Sequence, residues 1–115
     1  MFDRFKSPLY QEDLAYCANL PIHWDKLTGK AIAISGATGM IGTFLIDVLM
    51  KKNEDSHFDC RIIAIGRNKS RAQNRFPYFE DSHFSFEQMD VSKPGAHPSD
   101  SSDIVIHLAS TTHPR

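Results

Sequence analysis

Residues 35–42 read SGATGMIG, with Gly36, Gly39 and Gly42 three residues apart. The run AIAI stands immediately before this stretch and TFLIDVLM immediately after it. A short apolar run bounded by glycine reads as a buried strand. Beyond it, Met40, Ile41, Phe44, Leu45, Val48 and Leu49 recur at helical spacing and form one apolar stripe. Glycine serves where backbone must turn with positive φ or where two segments must approach closely. The stretch therefore commits the chain to a strand that turns tightly into an amphipathic helix.

The rest of the chain extends that unit. Residues 30–35 and 39–54 are the first strand and its helix, and CRIIAIG, residues 60–66, is a second buried strand. Residues 68–76 form a short polar helix or turn stopped by Pro77. HFSFEQMD, residues 83–90, is a third strand in which Phe84, Phe86 and Gln88 alternate. A loop rich in turn formers covers 92–102, and DIVIHLAS, residues 103–110, is a fourth strand. Ahead of all this, Ser7 and Pro8 read as N-cap and first residue of a helix ending near Asn19, with Tyr10, Leu14, Cys17 and Ala18 on one face. HWDKLTGK follows as a loop with a turn at Thr28-Gly29. The strands are apolar on both sides, which fits a parallel α/β sheet covered on both faces. A right-handed crossover sets the second strand beside the first.

Composition narrows the class. The 115 residues carry a formal net charge of -1 and 41% hydrophobic residues, which suits one globular domain and supplies no basic footprint for nucleic acid. No apolar run approaches the roughly 18 residues of a membrane span, and the N-terminus is not a secretory signal. Cys17 and Cys60 match no metal or redox spacing and read as reduced thiols of a cytoplasmic protein.

The chemistry begins at the glycines. A phosphate on a helix N-terminus needs bare backbone N–H groups. Gly36 permits the turn, Gly39 lets the backbone approach a pyrophosphate, and Gly42 lets the helix pack on the sheet. Thr38 adds a hydroxyl. In such sites an Asp or Glu about 20 residues on grips the ribose 2′-OH. Here Gly66-Arg67-Asn68 holds no carboxylate. The planar guanidinium of Arg67 suits a 2′-phosphate or adenine, so both NAD and NADP stay open. Asp90, ending the third strand, is placed to accept a hydrogen bond from the adenine amino group. Ala109, where the fourth strand exits, is small enough for a cofactor to pass. His107, on that strand, reads as a satisfied core histidine rather than a base. His57, His97 and His113 are not spaced for a metal.

GATGMIG after the first strand, MDV after the third and HLAS on the fourth together resemble the extended short-chain dehydrogenase/reductases of the NAD-dependent epimerase/dehydratase group. The lead FDRFKSPLYQEDLAYC with HWDKLTGK resembles UDP-glucuronate decarboxylase-like nucleotide-sugar enzymes. The resemblance implies a Rossmann-type sheet of about four strands, incomplete relative to the full family fold. On that basis residues 1–29 are a helical extension and loop. Residues 30–115 are the first part of an NAD(P)-binding domain, with the catalytic and substrate half lying outside them. Gly36, Thr38, Gly39, Met40 and Ile41 would contact the pyrophosphate. Gly66, Arg67 and Asn68 would lie by the adenosine ribose, and Asp90 and Val91 by adenine. Leu108, Ala109 and Ser110 would line the cofactor, with Thr111 and Thr112 facing the nicotinamide or sugar side.

The family moves its proton with a Tyr-x-x-x-Lys pair. Four residues after Tyr10, Tyr16 and Tyr78 stand Leu14, Leu20 and Ser82. The implied role is therefore cofactor binding within a nucleotide-sugar epimerase, dehydratase or decarboxylase that works by transient hydride transfer. The alternative is a non-catalytic NAD(P)-binding regulatory module, and a Tyr-x-x-x-Lys after Arg115 would favour the enzyme. A homo-oligomer is expected. With strand 103–110 at a sheet edge, self-association through it is expected as well.

Overall fold

The computed structural model describes residues 3–90 and 102–108. Four strands, β1 (Ala31–Ser35), β2 (Arg61–Gly66), β3 (Phe84–Gln88) and β4 (Ile104–His107), form one parallel sheet in the order β3-β2-β1-β4. Helices α1 (Pro8–Ala18), α2 (Met40–Asp55) and α3 (Lys69–Arg75) accompany it, and short 3-10 turns lie at Arg4–Lys6 and Trp24–Lys26. This is the Rossmann-type α/β sheet with flanking helices that the sequence predicts.

Local chemistry sets the helix ends. Ser7 accepts a hydrogen bond from Tyr10 N, and Pro8 opens α1. Asn68 Oδ1 accepts from Arg71 N at 3.0 Å and starts α3. α3 stops at Phe76 because the residue before Pro77 is pushed to extended backbone. The turn at Arg4–Lys6, absent from the sequence reading, is capped by Asp3, whose side chain accepts from Phe5 N.

Registry sorts the strand residues onto two faces. Ile32, Ile34, Ile62, Ala64 and Phe84 join Ile46, Leu49 and Met50 of α2 in the principal core. Ala31, Ala33, Ile63 and Ile65 form a smaller cluster on the other face. Three expectations change here. The apolar stripe of α2 is rotated: Met40 and Ile41 are 87% and 71% exposed, while Ile46, Asp47 and Met50 are buried. The helix packs on the sheet with one flank and on α1 with another, so its buried arc is displaced from the stripe that hydrophobicity alone selects. Coverage of both faces fails at β4, where Val105 is 63% exposed and alternates with half-buried Ile104 and Ile106. His107 is correspondingly an exposed side chain and not a core histidine.

β4 lies at the sheet edge, pairing only with β1 among the described residues. Asp103 N donates to Ala31 O and Leu108 N to Ser35 O, extending the ladder by one bond at each end. Ala109 and Ser110, included in the predicted strand, lie outside the described residues, as does Val91.

Candidate dinucleotide site

The turn from β1 into α2 explains two of the glycines by geometry. Gly36 has φ +69°, a conformation other residues rarely adopt. A Cβ on Gly42 would sit 2.3 Å from Gly36 O, inside any tolerable contact. The first turn of α2 therefore packs closely on the Gly36-Ala37 turn only because Gly42 lacks a side chain. Thr43 fastens the turn from within, its hydroxyl donating to Ala37 O at 3.0 Å.

Gly39 is the N-cap of α2, exposed, with extended backbone and no side-chain cap. Its carbonyl accepts the first helical bond, from Thr43 N at 2.9 Å. The amides of Met40, Ile41 and Gly42 occupy the first turn, where N–H groups have no intrahelical acceptor and the helix dipole favours an anion. Thr38, Gly39, Met40 and Ile41 line an open cleft of about 1040 Å³. This end suits a pyrophosphate: bare backbone, a hydroxyl beside it, and no carboxylate on the loop.

Parallel pairing carries the other predicted residues to the same sheet edge. Gly66 pairs with Gln88, and Met89 N donates to Gly66 O at 2.8 Å, so Asp90 follows directly beside the end of β2. Arg67 is exposed there. Asn68 carries a structural duty the sequence reading did not give it, since its side-chain oxygen accepts from both Arg71 N and Ser70 Oγ. Leu108 reaches the edge from β4, its N–H donating to Ser35 Oγ at 3.0 Å, and Ser35 Oγ lies 2.8 Å from His107 Nδ1. Val91, Ala109, Ser110, Thr111 and Thr112 lie outside the described residues.

Two further walls of the cleft escaped the sequence reading. Arg4, Tyr10 and Asp13 close it on the side of the N-terminal segment, and Arg71, Asn74 and Arg75 on the side of α3. The N-terminal wall is held by Asp47, whose side chain is 0% exposed in the middle of α2. Arg4 donates to it through Nε (2.7 Å) and Nη2 (3.1 Å), Tyr10 through its hydroxyl (2.5 Å), and Tyr78 through its hydroxyl as well. The one available signal was a lone carboxylate inside the apolar run FLIDVLM. Burial first, and Asp47 second, push the Tyr10 and Tyr78 phenols well above their ordinary range.

A family model for the NAD dependent epimerase/dehydratase family matches residues 32–115, more than half of the chain. The chain belongs to the NAD-dependent epimerase/dehydratase family. Domains of this family typically bind NAD(P), in keeping with the bare glycine turn at the cleft. The match begins inside β1, so the wall contributed by Arg4, Tyr10 and Asp13 stands ahead of the matched region. None of the curated proteins compared matches the chain. No helix among the described residues is long and apolar enough to cross a membrane.

Proposed function

We propose that this chain forms the dinucleotide-binding part of a nucleotide-sugar epimerase, dehydratase or decarboxylase. The supporting observation is the β1–α2 turn, where Gly36 and Gly42 have geometric reasons to be glycine and Gly39 leaves the helix N-terminus bare. Gly39, Met40 and Ile41 would hold the pyrophosphate with Thr38 beside it. Gly36 shapes the turn. Gly66, Arg67, Asn68, Asp90 and Val91 would address the adenosine, and Leu108, Ala109 and Ser110 the length of the cofactor. NAD(P) held by these residues would supply the hydride acceptor for chemistry on the sugar.

The described tyrosines supply no acid–base partner for that transfer. Tyr10 and Tyr78 are tied to Asp47 with phenols pushed in the wrong direction, and Tyr16 lies exposed on α1. The role of this chain would then be to bind and orient the dinucleotide. Consumption of UDP-glucuronate by this chain alone would contradict that division of labour. Self-association through the β4 edge belongs to the same proposal, and sedimentation showing a monomer at high concentration would remove it.

The binding claim is tested by calorimetry with NAD and NADP on the wild type and on Gly39→Asp. Asp is a favoured N-cap and is compatible with the extended backbone at Gly39, needing a small shift where its Cβ would meet Gly36 O at 3.3 Å. The variant is expected to keep its fold. Its carboxylate would take the amides a pyrophosphate needs, so dinucleotide binding is expected to be lost. Binding undiminished by Gly39→Asp would refute the placement.

A further inference from the structure

The segment that follows β2 has an unusual charge pattern for a chain of net charge -1. Residues 67–75 read RNKSRAQNR, with four cations and no carboxylate, and the next acidic residue is Glu80. A solvated helix usually interleaves both signs on its faces. Arg71 and Arg75 stand one turn apart on α3, and both line the cleft that begins at the glycine turn. Neither makes an ion pair with another described residue, although Asp13 lines the same cleft across from them. The opposite wall is fixed, because Arg4 and Tyr10 are held on the buried Asp47. Two guanidinium groups without an ion-pair partner among the described residues thus share a walled cleft with a bare helix N-terminus.

The inference rests on the reading that the glycine turn takes a dinucleotide. With the pyrophosphate on the first turn of α2, the adenosine ribose lies toward the end of β2, at Gly66–Asn68. α3 starts directly from that end, so the ribose 2′ position faces α3. A hydroxyl there calls for a carboxylate, and residues 66–75 offer none. A phosphate there calls for planar, multiply donating cations. We propose that the chain selects a dinucleotide carrying a 2′-phosphate, and that Arg71, seconded by Arg75, reads that phosphate.

The test is calorimetry of NADP and NAD, at low salt, on the wild type, Arg71→Ala/Arg75→Ala and Arg67→Ala. The wild type is expected to bind NADP at least about tenfold more tightly than NAD, as charge-assisted hydrogen bonds allow. The double variant is expected to bind both with the wild type's NAD affinity, and Arg67→Ala to keep most of the preference. The single variant Arg71→Ala, at an exposed position, is expected to move the same way with an unchanged melting curve. Equal wild-type affinities would overturn the proposal while leaving dinucleotide binding intact. A preference that survives the double variant, or that Arg67→Ala alone erases, would overturn the assignment to Arg71. Binding of neither dinucleotide would overturn this inference together with the reading beneath it.

Discussion

Replacing Asp47 with Asn probes how the N-terminal segment is attached. The carboxylate is fully buried and receives two bonds from Arg4 and one each from Tyr10 and Tyr78, while the Arg4 side chain is 16% exposed. Asn preserves the volume but offers one acceptor oxygen, and its amide group turns donors toward donors. It also leaves a largely buried guanidinium without its counter-charge. Removing one partner of a buried pair costs about 3–5 kcal/mol, so Asp47→Asn is expected to destabilise by about 3 kcal/mol. Against a typical total of about 5–15 kcal/mol, the variant still folds. Urea unfolding followed by Trp24 fluorescence reads this directly. Trp24 is the only tryptophan, and it packs edge-on against Phe58 with Lys52 above its ring. Arg4→Met/Asp47→Leu is expected to recover part of the loss, since an apolar pair removes both charges together. A shift within about 0.5 kcal/mol for Asp47→Asn would show that the cluster is incidental, because surface changes fall in that range.

Other consequences can be checked separately. Gly42→Ala forces a Cβ to 2.3 Å from Gly36 O and is expected to cost about 2 kcal/mol or more by thermal melting, with a neutral result contradicting the close packing of α2 on the turn. His83 lies 2.8 Å from Asp59 Oδ1 and 3.3 Å from Asp81 Oδ1; the Asp59 hydrogen bond, followed by smaller effects of Asp81, raises its pKa despite some desolvation. Its folded value exceeds the ordinary 6.5. Its stabilising contribution is therefore full below about 6.5 and lost as pH rises through the folded value, and His83→Gln is expected to flatten the pH dependence of stability in that window. An ultraviolet titration is expected to show Tyr10 and Tyr78 un-ionised through the ordinary tyrosine range, and ionisation of all three tyrosines near pH 10 in the folded protein would contradict the burial at Asp47.

The sheet was legible because strand and helix signals are local. Buried AIAIS and RIIAIG, the Ser7-Pro8 helix start, and Phe76-Pro77 at the end of α3 each carry their own cause. The glycine turn was legible for the same reason, since Gly36 and Gly42 answer to a φ angle and a contact formed within a few residues. Asp47 was not legible. Its partners Arg4, Tyr10 and Tyr78 are remote in sequence: the packing of α1 on α2 brings in Tyr10 with the turn at Arg4–Lys6, and the segment after α3 brings in Tyr78. The basic wall of the cleft shows the same limit. Arg71 and Arg75 have the spacing of any solvated helix face, and they share a cleft with the glycine turn only once α3 has folded against β3. The exposure of His107 and Val105 depends on what covers one face of β4, which strand hydrophobicity does not encode.

An amide-resolved NMR titration with NADP tests the central claim most directly. Saturable shifts are expected at the amides of Gly39, Met40 and Ile41, where the helix N-terminus would take the pyrophosphate, and around Arg67 and Arg71 where the adenosine would lie. Binding that leaves Gly39, Met40 and Ile41 unmoved, or no binding at all, would contradict the account.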